Sequence, residues 1–167
     1  MKFKHKLLLG LGLVGAYCGV AYGYDVLYKP HKIAKQARKT ADINNKPLLN
    51  IGAGTPKTSL RTYLFGPTLW GDVNMDIAGK GPCTPENVCY GDIGKIPYPD
   101  KYFGAVIASH VVEHIPNPQK AMAEMHRVAD KVYAITPVWW APHTWIYWDH
   151  KWYRKENGTF MPLWQVL

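Results

Sequence analysis

Between Lys46 and Thr136, short apolar runs alternate with stretches of helical periodicity, and this alternation constrains the fold more than any other feature of the chain. Pro47-Leu48-Leu49-Asn50-Ile51 reads as a first strand, with a second inside Thr68 to Asp76 and a third inside Asn87 to Tyr90. Ala105 to Ala108 is a buried fourth, and Lys131 to Thr136 a fifth. A helix is predicted from Asn117 to about Ala129, with Pro118 in its first turn and Ala121, Met122, Met125 and Val128 on one face. Strands alternating with helices imply an α/β fold, a Rossmann-like doubly wound and mostly parallel sheet. Trp152-Tyr153-Arg154 and Thr159-Phe160-Met161 flank Asn157-Gly158 and predict a hairpin that would supply the last strands of that sheet.

The first strand ends in Gly52-Ala53-Gly54. A glycine-rich turn at a strand end lets backbone approach a ligand and offers it N–H groups. Asp76, about 20 residues further on, stands where a carboxylate accepts hydrogen bonds from a ribose. Asp92 follows the third strand, in a Gly91-Asp92-Ile93 segment suited to an adenine, and Ser109-His110 follows the fourth. All of these positions fall at carboxyl ends of strands, where open α/β sheets bind ligands.

The ordered segments NIGAGT, NMDI and GDIGKIPYPDKYFGAVIASHVVEHIPNPQKAMAEMHRV resemble class I S-adenosylmethionine-dependent methyltransferases, in the broad group of the ubiquinone/menaquinone-type enzymes, over about residues 48–137. The resemblance implies S-adenosyl-L-methionine as cofactor. It places the methionine part near Gly52, Ala53 and Gly54, the ribose on Asp76 with Ile77 beside it, and the adenine near Asp92 and Ile93. Ser109 and His110 would border the methyl-transfer cavity. This chain has Asn50 where the family usually carries an acidic residue, Pro56 where it has a third glycine, and Gly104 where it often has Asp.

Methyl transfer asks mainly for alignment of nucleophile, methyl and sulfur, so no catalytic residue is assigned firmly. His110 and His114 are weak candidates for taking a proton from the acceptor. No metal site follows from the resemblance. His110-x-x-Glu113-His114 also spells an inverted zinc-protease signature, which on a helix would place both histidines on one face with Glu113 as base; a zinc hydrolase is the minor alternative. The main alternative is a methyltransferase-fold protein without turnover, with a structural or assembly role at a membrane.

The membrane enters through the N-terminus. Leu7 to Tyr24 is uncharged and predicts a transmembrane helix within residues 1–28. Gly15, Gly19 and Gly23 would line a packing face for a second helix or a second copy. Residues 29–46 read as a basic helix or linker, and 47–167 as the methyltransferase-like domain, with a Trp-rich end that includes Trp139, Trp140, Trp145, Trp148, Trp152 and Trp164. The net charge of +8 is concentrated on both sides of the apolar run, which fits anionic headgroups better than nucleic acid. The larger basic cluster, Lys29 to Lys39, favours a single-pass protein with its C-terminal domain in the cytoplasm. The acceptor would be a small or lipid-like molecule. Cys83 and Cys89 could pair, but a reducing compartment is the simpler expectation for Cys18, Cys83 and Cys89.

Overall fold

A computed structural model describes residues 3–55, 67–137, 142, 144, 150–155 and 157–162. Pro56 and the tryptophans 139, 140, 145, 148 and 164 lie outside the described residues. Five strands form one parallel sheet: β1 (Leu48–Ile51), β2 (Val73–Asp76), β3 (Val88–Tyr90), β4 (Phe103–Ser109) and β5 (Ala129–Ile135), in the order β3-β2-β1-β4-β5. The predicted α/β sheet is therefore present, with each strand within a few residues of its expected place.

The pleat sorts the core into two layers. Leu49 and Ile51 of β1 and Val106 and Ala108 of β4 face the helix α3 (Pro118–Val128), which contributes Ala121, Met125 and Val128. Leu48, Ala105 and Ile107 face the opposite way, onto Ala34, Ala37 and Ala41 of α2 (Lys29–Ile43). Alternation along a strand produces this division, because successive side chains point to opposite faces. The basic segment thus forms a helix whose small side chains lie on the sheet while Lys32, Lys35 and Lys39 face outward. Arg38 fixes it further by bonding Asp72 at 2.7 Å, and Asp72 also accepts the Leu48 N–H. Burial, the largest single influence, would raise the Asp72 pKa, but the hydrogen bonds from Arg38 and the Leu48 N–H together with the Arg38 charge outweigh it and the net shift is downward.

Asn117 caps α3 by accepting the Lys120 N–H, with Pro118 at the first position, as expected. Arg127 near the end of α3 bonds the carbonyls of Ile96 and Tyr98 and the carboxylates of Asp100 and Glu124. The proline-aromatic stretch before β4 is in this way strapped to α3.

Three expectations are corrected. The first helix, α1 (Phe3–Tyr22), is continuous, yet among the described residues no helix is long and apolar enough to cross a membrane. Lys4, His5 and Lys6 occupy its first turns, and Gly10, Gly12, Gly15 and Gly19 dilute the apolar run. Below Tyr22 the chain continues as a π-helical segment, Gly23–Tyr28. The C-terminal strands β6 (Trp152–Arg154) and β7 (Phe160–Pro162) do form a hairpin, but an antiparallel pair of their own rather than an extension of the sheet. The Trp152 N–H reaches Glu113 O and its indole donates to Ile115 O at 2.9 Å, so β6 is held by the β4–α3 connection. Finally, Cys83 and Cys89 form a disulfide, because the turn before β3 brings their Cα atoms to 4.9 Å.

Candidate functional site

All five strands run the same way, so the carboxyl ends of β1, β2, β3 and β4 share one edge. The register sets Ile51 beside Met75 and Ala108, and Asp76 beside Tyr90. Gly52 to Gly54, Asp76 and Ile77, Gly91 and Asp92, and Ser109 and His110 are therefore brought to one rim.

Asp76 is the hub of that rim. It is buried, 8% exposed, with one carboxylate oxygen accepting the Gly54 N–H at 3.0 Å and the other the Ala78 N–H at 2.9 Å. Its own carbonyl accepts from Gly91 at 3.1 Å, joining the ends of β2 and β3. The glycine turn adopts left-handed backbone at Gly52 (φ 72°) and Gly54 (φ 78°), where other residues are strained. A Cβ at Gly52 would also collide with the Val111 side chain, so the turn and the segment after β4 are in close contact. The N–H groups of Gly52 and Ala53 are bonded to Met75 O, and that of Gly54 to Asp76. The expectation that the turn offers N–H donors to a ligand is thus corrected: these donors are used inside the protein.

The remaining predicted residues differ in exposure. Ile77 is 63% exposed beside Asp76. Asp92 is exposed and holds a local turn by accepting the Gly94 N–H, whereas the Ile93 side chain is committed to the core with Met75 and Cys89. Ala53 is buried and its carbonyl accepts from both the N–H and the hydroxyl of Thr68. Ser109 is half-buried at the end of β4.

Residues 110–116 form turns and bends, not a helix, and His110 sits in left-handed backbone at φ 55°. The two histidines of H-x-x-E-H therefore do not share a helical face, and Glu113 is fully buried, so it cannot serve as a solvent-facing base. The zinc-hydrolase expectation is corrected on both counts. His110 instead bonds the Asp25 carbonyl through Nε2 at 3.2 Å, and its Nδ1 lies 3.4 Å from Glu113. Burial alone would lower the His110 pKa, but hydrogen bonding and charge from Glu113, with Asp25 behind it, raise it above the ordinary value.

Two residues entered the site without a sequence signal strong enough to find them. Asp25, fully buried in the π-helical segment, pairs with Lys29 at 3.3 Å, and Lys29 also donates to Thr136 O. His150 arrives from the C-terminal part with its ring tilted against that of His114, the centroids 4.8 Å apart.

Two of the three departures from the family pattern have structural roles. Asn50 donates to Thr68 O and to Asn74 Oδ1, and Asn74 in turn bonds Gly71 and Pro85. The pair fills a buried polar layer with satisfied amides, where a carboxylate at position 50 would face the Asn74 oxygen. Gly104 lies against α2: a Cβ there would stand 2.8 Å from the Ala41 Cα and 3.1 Å from its carbonyl oxygen.

Residues 72–131 match the family model of a methyltransferase domain. The chain is similar to the ubiquinone/menaquinone biosynthesis C-methyltransferase of Burkholderia mallei, 31% identical over 137 residues, covering 70% of this chain and 55% of the relative. The protein of the same name from Burkholderia multivorans is 32% identical over the same extent. The chain thus spans about half the length of the curated relatives it matches.

Proposed function

We propose that this chain, a member of the class I S-adenosylmethionine-dependent methyltransferases, binds S-adenosylmethionine on the rim of its sheet and transfers the methyl group to a small apolar acceptor. The observation that carries the reading is Asp76, buried between the glycine turn and β3 with both oxygens already oriented by backbone N–H groups. Each carboxylate oxygen has a second lone pair, so the same group can accept a vicinal diol. The residues fit the cofactor in a second respect. The turn's N–H groups are bonded internally, so it offers close backbone approach at Gly52 and Gly54 without the free donors an anion needs, which suits a cationic sulfonium better than a phosphate. When bound, the cofactor supplies an already activated methyl group. The chain then has to hold the acceptor in line and keep water out, a role we assign to Val111, which lies against Gly52, and to Ser109, half-buried at the end of β4.

The matched relatives carry C-methyl transfer and quinone biosynthesis in their names, and that motivates an apolar ring or lipid-like acceptor. Calorimetric titration of the full chain with S-adenosylhomocysteine tests the first step. One-to-one binding is expected, and the absence of heat at millimolar ligand refutes the enzyme and leaves the reading of a fold kept without turnover.

The membrane expectation narrows to surface contact. Leu11, Leu13, Val14 and Val20 of α1 are each more than 60% exposed, close to Lys29, Lys32 and Lys35 in chain order. We propose that these exposed apolar side chains and the lysines that follow them attach the domain to an anionic bilayer surface and thereby bring it to a lipid-like acceptor. Co-sedimentation with vesicles containing phosphatidylserine is expected in low salt. Equal recovery in the supernatant with and without vesicles refutes it.

A further inference from the structure

We propose that Glu113, His114 and His150 form a binding site for one divalent transition-metal ion of the zinc class. Each of the three offers one ligand atom, and these atoms lie within 4.8 Å of one another. The His114 Nε2 is 3.9 Å from the Glu113 Oε1. Ligand atoms around a tetrahedral zinc, with bonds near 2.0–2.1 Å, stand about 3.3 Å apart, so closure asks for side-chain rotation and no rearrangement of the fold.

Glu113 makes the cluster more than a coincidence of residue types. It is fully buried, its Oε1 meets only ring nitrogens, His110 Nδ1 at 3.4 Å and His114 Nε2 at 3.9 Å, and among the described residues its Oε2 has no hydrogen-bond partner. A buried carboxyl in that state costs free energy that a coordinated cation offsets. His110 is the nearest charged partner, but its Nδ1 is 3.4 Å from one oxygen only, and its Nε2 is engaged with the Asp25 carbonyl.

His150 adds an independent indication. Its Nδ1 lies 2.9 Å from the Thr144 carbonyl. A carbonyl only accepts, so Nδ1 carries the proton, which makes Nε2 the acceptor nitrogen of the neutral ring. A backbone carbonyl holding the far nitrogen is the outer-shell arrangement of metal-bound histidines. The two segments are also stapled together: Lys151 and Trp152 donate backbone N–H groups to Glu113 O, at 2.7 and 3.3 Å, and the Trp152 indole reaches Ile115 O. Two imidazoles and one carboxylate suit zinc, cobalt or iron(II) and leave a further coordination position for water or a substrate oxygen. The proposal does not rest on cofactor binding, because the three ligands belong to the chain itself.

The test uses the full chain, stripped with chelator and free of S-adenosylmethionine, titrated with Co²⁺. A visible absorption band saturating at one equivalent and displaced by Zn²⁺ is expected. His150→Ala and Glu113→Gln should each weaken Co²⁺ binding by on the order of 100-fold, at or beyond the upper end of the loss seen for outer-shell partners. His126→Ala, at an exposed position on α3, should leave it unchanged. No band, or binding retained within about threefold in His150→Ala, overturns the proposal. Should the variants fail to fold by circular dichroism, X-ray absorption of the Zn²⁺-loaded wild-type chain decides: a shell with two imidazoles and no sulfur supports the site, and any other shell overturns it.

Discussion

Asp76→Ala is expected to weaken S-adenosylhomocysteine binding by on the order of 100-fold and to lower the unfolding free energy by about 2–4 kcal/mol. Both effects have one origin. The carboxylate holds the Gly54 and Ala78 N–H groups, and alanine leaves two buried or half-buried donors unmatched. A hydrogen bond to a charged group contributes about 1.5–3 kcal/mol, so losing two contacts to a ribose accounts for a hundredfold on its own. Calorimetry and urea unfolding measure the two quantities separately. If the dissociation constant is unchanged in a variant that folds, Asp76 is not part of the binding site. If affinity falls while stability does not, the backbone bonds described for Asp76 are absent in solution.

Gly104→Asp, the residue common in the family at this place, is expected to cost on the order of 4 kcal/mol or more and to prevent cooperative folding. A Cβ alone would press on the Ala41 Cα and carbonyl, and overpacking of this kind costs about 1–3 kcal/mol. The carboxylate adds burial of a charge beside backbone that cannot donate to it. Gly104→Ala isolates the steric part. A Gly104→Ala protein as stable as wild type in urea would show that α2 is not seated on β4 as described. The same contact explains why the basic segment is integral to the domain: Gly104 and the Ala34, Ala37, Ala41 stripe permit a close helix–sheet approach that a larger residue on either side would open.

The sheet was legible in the sequence because short runs rich in apolar residues, most continuous and most buried in β4, alternate with stretches of helical periodicity. The α3 cap was legible because Asn117 and Pro118 act locally. The rim was legible for the same reason, since each of its residues follows directly on a strand. What stayed hidden depends on distant pieces of chain. The Ala stripe of α2 was present at helical spacing, but alanine carries too little hydrophobicity to announce a buried face among lysines. The π-helical turn at Gly23–Tyr28 has no sequence pattern, and the burial of Asp25 within it depends on His110, far along the chain. The turns and bends of residues 110–116 stayed hidden because left-handed backbone at His110 is not encoded by residue type. His150 could not be paired with Glu113 from spacing alone, because the connection between them follows no periodicity.

The strand order carries a kinetic consequence. β1 occupies the centre of the sheet, yet neither neighbour is local: Leu49 is registered with Val73 on one side and with Val106 on the other. Contacts between α3 and β5 close over short loops and are expected to form early. The centre of the sheet waits for the whole stretch to β4, and that wait is set by loop closure rather than by any weakness of the strands. Until then Leu48, Leu49 and Ile51 remain uncovered, so the residues that anchor the finished core are also the ones by which an unfinished chain would meet another copy of itself.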